Sequence, residues 1–150
     1  MDWDLGISGD QYGDFYFFVD GLFKMKLTPS AKVDEPGENS SVWYLFPVSP
    51  IPPKVLPKQQ YLYFSGKAAE ELEGRIGSTI RWQLRQTKLD PVRAYLLEID
   101  LLPILKKLIE DLQAADKEER SSIVALFNFK YQRRKLRRKL ELAGPTDLVR

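Results

Sequence analysis

A chain of 150 residues, 43% hydrophobic and 29% charged, has the size of one domain and the balance of a folded globular protein, which excludes a disordered polymer. It contains neither cysteine nor histidine, so disulfides, thiolate nucleophiles, sulfur-ligated zinc and the commonest general base are all removed. No apolar run approaches the roughly 18 residues that span a bilayer, and Met1-Asp2-Trp3-Asp4 is acidic where a secretory leader is basic; the expectation is a non-secreted, cytoplasmic protein with no membrane partner.

In chain order, the first clear element is the aromatic and β-branched run from Asp14 to Val19, of a composition that fills a pleated surface. Asp20-Gly21 suits a two-residue turn with positive φ, and Phe23 to Leu27 alternates apolar and polar residues, so a β-hairpin is predicted. Thr28 to Ser41 lacks any apolar period and reads as a loop. Val42 to Phe46 is the next strand, stopped by Pro47, and Pro47, Pro50, Pro52, Pro53 and Pro57 make an extended connector. Tyr61 to Phe64 reads as a further strand, after which Ser65 is placed to cap a short helix from Gly66 to about Glu73, interrupted by Gly74 and Gly77.

Two segments are ambiguous. In 78–88, Ile80, Trp82 and Leu84 alternate as in a strand, while Ile76, Ile80 and Leu84 share a helical face. In 92–102, Asp90-Pro91 resembles a helix start, yet Tyr95, Leu97, Ile99 and Leu101 alternate. The strand reading is preferred for both, the second from Ala94 to Leu101, with Pro103 opening a helix through Ile104, Leu105, Leu108, Ile109 and Leu112. After a break at Ala114-Ala115-Asp116, a last helix is expected from Lys117 to Leu142, burying Ile123, Val124, Phe127, Tyr131, Leu136 and Leu140 before Gly144-Pro145. The fold class expected is therefore α+β: an N-terminal antiparallel hairpin or sheet rich in aromatics, packed with C-terminal amphipathic helices. One domain is expected over 1–150, with 1–64 mainly β including a proline-rich connector at 47–57, 65–102 mixed, and 103–143 helical with a basic distal end.

Charge is unevenly spread. Net charge is −5 over residues 1–50, +2 over 51–100 and +5 over 101–150. The excess concentrates in 130–139, where Lys130, Arg133, Arg134, Lys135, Arg137, Arg138 and Lys139 occur without an acid. Such a run reads in two ways: a solvated helix end complementing the macrodipole, or a strip that neutralises phosphates and releases their counterions. Trp82, with Arg81 and Arg85, is a second candidate set for base stacking and phosphate contact, set against an ordinary core role for the tryptophan.

Nothing in the sequence assembles a catalytic site. Asp10, Asp14 and Asp20 fit no metal-loop spacing and sit beside Gly9, Gly13 and Gly21 as turn residues do. Ser65-Gly66-Lys67 lacks the glycine spacing and the hydroxyl of a phosphate loop. The expected function is a non-enzymatic accessory protein that binds nucleic acid, DNA or RNA, or a nucleoprotein complex, through a basic C-terminal helix, with no cofactor or metal. The alternative is a protein-interaction adaptor or assembly subunit, in which an acidic N-terminal half and the basic helix meet different partners, one of them an acidic protein surface.

Overall fold

The computed structural model describes residues 3–29, 42–52, 54, 60–63 and 69–132. They form an α+β fold in which a five-stranded antiparallel sheet precedes three helices. The strands are β1 (Leu5–Gly9), β2 (Phe15–Val19), β3 (Phe23–Pro29), β4 (Val42–Ser49) and β5 (Gln60–Tyr63), and they pair in chain order as a meander. The helices are α1 (Ala69–Arg85), α2 (Pro91–Ala114) and α3 (Lys117–Tyr131).

Alternation along the strands decides which face meets the helices. Phe15, Phe17 and Val19 on β2, Phe23, Met25 and Leu27 on β3, and Trp43 and Leu45 on β4 are buried, while the residues between them are half-buried or exposed. Leu72, Ile76, Ile80 and Leu84 of α1 and Leu97, Leu101, Leu105 and Ile109 of α2 join the same core. Each such side chain contributes about 1.5–3 kcal/mol by leaving water. Phe127 brings α3 onto it, its ring edge-on to Phe17 at 6.2 Å. Arg120 lies over Trp43 at 5.1 Å and donates to the Leu112 carbonyl at 2.9 Å, tying the start of α3 to both the sheet and α2.

The predicted hairpin is present as β2 and β3, with Gly21 at φ +79°. Its loop is one residue longer than the two expected: Val19 pairs with Phe23, and Leu22 N–H donates to the Val19 carbonyl. β1 had no expectation attached to it. Thr28 and Pro29 belong to β3 rather than to a loop, and β4 runs through Pro47 to Ser49. Proline is tolerated there because β5 pairs only with Val42 to Leu45, and the β3–β4 register shifts between Lys24 and Met25, opposite Pro47. The connector beyond Pro52, the loop from Ser30 to Ser41, and Phe64 with the Ser65 cap lie outside the described residues, apart from Lys54.

Both ambiguous segments are helical, and the strand readings are corrected. Leu72, Ile76, Ile80 and Leu84 recur every four residues and are all buried, so α1 continues through Gly74 and Gly77. Each glycine costs a helix about 1 kcal/mol relative to alanine, which a buried stripe of this length outweighs. The 94–101 segment is the first half of α2. Asp90 is its N-cap, accepting from Arg93 N–H at 3.0 Å, and Pro91 occupies the first turn, where no amide donor is required. Pro103 therefore lies inside a helix rather than opening one. It is exposed, as is Ile99, whose carbonyl receives no amide hydrogen bond from the proline.

The break at 114–116 is where it was expected: Ala115 is extended, and Asp116 forms a capping box with Glu119. Of the expected buried face of α3, Phe127 is buried and Ile123, Val124 and Tyr131 are partly so. At Gln132 the backbone leaves helical geometry (φ −91°, ψ 37°), so α3 ends at Tyr131 instead of continuing to Leu142. Leu136 and Leu140 lie outside the described residues.

Candidate nucleic-acid interface

The described helices pack on one face of the sheet, and the opposite face carries the even-numbered residues of β1, β2 and β3 and, on β4, Tyr44 and Phe46. Tyr16 of β2, Lys26 of β3 and Phe46 of β4 are direct cross-strand neighbours, so a cation sits between two rings. Its Nζ lies 5.8 Å from the Tyr16 ring centroid and 5.6 Å from that of Phe46. Lys24, exposed and one pleat away, approaches Tyr16 at 5.9 Å. Both rings are half-buried.

Asp14 organises this row. Its carboxylate pairs with Lys26 at 3.2 Å and accepts from the Thr28 hydroxyl. Partial burial pulls the Lys26 ammonium downward, but the hydrogen bond and charge of Asp14, with Tyr16 and Asp10 adding to it, leave its pKa above the usual lysine value. The lysine is therefore held as a cation in a fixed place. Asp10, in turn, accepts from the backbone N–H of Tyr12 and of Asp14 at 2.8 and 3.0 Å. That is the turn role expected of it, and among the described residues no three acidic side chains gather to hold a metal ion.

The end of α3 reaches the edge of this sheet. Asn128 exchanges two hydrogen bonds with Ile7, donating to its carbonyl and accepting from its N–H, both at 2.8 Å. One turn later Gln132 donates to the Leu5 carbonyl. Gly6 lies under the Phe18 ring and the Gln132 amide, so closely that a Cβ there would overlap both. The last described residue thus touches the face that carries Phe18, and the cationic run continues from it in the sequence.

Of the sequence-predicted site residues, Lys130 is exposed near the end of α3, with Nζ 5.3 Å from the Tyr131 ring. It borders a groove of about 220 Å³ between α2 and α3, among Ile104, Leu108, Leu126 and Phe127. Arg133, Arg134, Lys135, Arg137, Arg138 and Lys139 lie outside the described residues. The second candidate set does not converge. Arg81 and Arg85 share a groove with Leu89 and Tyr95, and Arg81 pairs with Glu98 at 3.5 Å. Trp82, one residue and about 100° around the helix from Arg81, is half-buried and is not among the residues that line this groove.

Sequence reasoning missed the grouping of Tyr16, Lys24, Lys26 and Phe46. The hairpin carried only part of the signal: a two-residue turn at Asp20-Gly21 would set Tyr16 opposite Met25, and it is the three-residue loop that brings Tyr16 opposite Lys26. The place of Phe46 in that row needed the register of β4, which no local pattern carries. No helix among the described residues is long and apolar enough to cross a membrane. Compared with protein-family models, with curated proteins and with solved structures, the chain matches none.

Proposed function

We propose that this chain is a non-enzymatic accessory protein that binds nucleic acid, alone or within a nucleoprotein complex, through the cationic run that begins at Lys130. The observation that carries this reading is seven cations without an acid in ten residues, joined to the sheet at the Gln132 contact. A cation density of this kind gains affinity for polyanions chiefly by releasing condensed counterions, so binding should weaken steeply as salt rises. With neither histidine nor cysteine in the chain, recognition is a better account of the cations than chemistry. A cytoplasmic location fits a cysteine-free chain.

The test is a fluorescence anisotropy titration against labelled single-stranded and duplex oligonucleotides over a range of salt. Replacing Arg134, Arg137 and Arg138 with glutamine is expected to leave thermal stability nearly unchanged, since exposed charges contribute about 0–1 kcal/mol as pairs. The slope of log affinity against log salt should fall by roughly three on duplex DNA if each arginine meets one phosphate. No binding to either form at low salt defeats the proposal.

A second reading, an assembly subunit that pairs with its own copy rather than through the acidic half and the basic helix, draws on α2. Val92, Tyr95, Leu96 and Ile99 are exposed on one stripe of its first half, and an apolar stripe is covered by another apolar face rather than by phosphate. The occupant that fits is a second copy of the chain. The spacing of these four positions is the same in either direction, so an antiparallel crossing about a two-fold axis sets Val92 against Ile99 and Tyr95 against Leu96. Sedimentation equilibrium should then show mass rising with concentration, and Leu96→Glu should abolish the rise. A monomer at every concentration removes this reading.

A further inference from the structure

We infer that the face of the sheet opposite the one on which α1 and α2 pack is a stacking surface for unpaired bases, so that the chain prefers single-stranded nucleic acid to duplex. This rests on the nucleic-acid reading above and adds to it the form of the polymer and a second set of contacts.

Base stacking needs aromatic faces that are open, fixed and spaced, with cations near enough to meet the intervening phosphates. Tyr16 and Phe46 are held on β2 and β4, two strands apart, which is roughly 10 Å across a sheet. Lys26 stands between them, less than 6 Å from either ring centroid. One base on each ring leaves the linking phosphate above the lysine. Asp14 fixes the Lys26 ammonium but offsets its charge, so further cations are required. Exposed Lys24 supplies one, close to Tyr16. A duplex keeps its bases stacked inside and offers rings only phosphate and sugar, which gain little from an aromatic face.

A different demand is made by a purely structural role. Aromatic and lysine side chains set across strands stabilise a sheet by some tenths of a kcal/mol each, and that role predicts no effect of the rings on binding. The experiment is anisotropy with a fluorescein-labelled oligothymidylate and with a labelled duplex of the same length, on the unaltered chain and on Tyr16→Leu/Phe46→Leu, with thermal melts to follow folding. The expected result is a loss of tenfold or more in single-strand affinity, with the salt slope and the duplex affinity unchanged. Arg134→Gln/Arg137→Gln/Arg138→Gln should behave oppositely, weakening both polymers and flattening the slope.

Equal single-strand affinity in the double variant overturns the stacking surface and leaves the nucleic-acid reading standing. Preference of the unaltered chain for duplex does the same. Failure of the unaltered chain to bind either polymer overturns both. Should the double variant not fold, photocrosslinking of the unaltered chain to an oligonucleotide carrying 5-iododeoxyuridine decides the matter. Crosslinks at Tyr16 or Phe46 support the surface, and crosslinks confined to 130–139 overturn it.

Discussion

At Gly21, φ of +79° closes the loop between β2 and β3, and a side chain there is strained by about 1–2 kcal/mol even though nothing crowds the position. Gly21→Val should lower the midpoint of thermal unfolding, with a β-branched residue resisting this region more than alanine does. An unchanged midpoint would mean that the loop has another low-energy form. Asp116 offers a test by pH. The backbone N–H of Glu119, which donates to it at 2.8 Å, holds its carboxyl below the ordinary 3.8, aided by the Glu118 backbone N–H and the Arg120 charge and despite some desolvation. A depressed carboxylate stabilises the fold at pH above its unfolded value and loses that contribution as pH falls through its folded one. Asp116→Ala should therefore melt earlier than the unaltered chain at neutral pH, and the difference should narrow below about pH 4 as the native carboxyl takes up its proton. A gap independent of pH would assign the cap no charge component.

Among the elements, α2 makes the sharpest prediction, because its proline stands in mid-helix on an exposed side. Alanine at this place restores an amide donor to the Ile99 carbonyl, and host helices favour alanine over interior proline by about 3 kcal/mol. Pro103→Ala should raise the melting midpoint. A fall would show that the proline sets a bend on which packing depends. The same helix explains where the sequence is legible and where it is not. The β2–β3 hairpin can be read because alternation and a turn dipeptide agree. In α1, Ile80 and Leu84 are four apart, a spacing shared by one face of a strand and one face of a helix, so those two positions cannot separate the periods. Leu72 and Ile76 extend the series and settle it, but Gly74 and Gly77 argued locally for a stop. In α2, Leu97 and Leu101 pose the same ambiguity, and Tyr95 and Ile99 fit the alternation of a strand face although they are exposed on the helix. On the sheet, every position from Phe15 to Val19 is aromatic or β-branched, so composition alone does not tell the core ring of Phe17 from the outward ring of Tyr16.

For the whole molecule, acidic and basic parts of the chain lie at opposite ends of the sequence, and among the described residues two side-chain amides of α3 and its C-cap join the one end to the other. Asn128 meets Ile7 across 121 residues and Gln132 meets Leu5 across 127, through side-chain amides and backbone groups. Amides of this kind leave no periodic trace, which is why β1 and its partner escaped the sequence reading. Removing the Asn128 amide leaves the Ile7 N–H and carbonyl without these bonds, at about 1–3 kcal/mol for each group left unsatisfied. Asn128→Leu should lower the melting midpoint by more than the loss of one surface contact, and hydrogen exchange at Ile7 should quicken. Unaltered exchange there would show that the edge has another partner. The consequence reaches beyond one molecule. An outer strand with bare amides is a template on which a neighbour's strand can be laid, and then another, until a soluble protein becomes a fibre. By occupying the Ile7 N–H and carbonyl and the Leu5 carbonyl, Asn128 and Gln132 leave fewer bare groups on this edge for a neighbour's strand to meet.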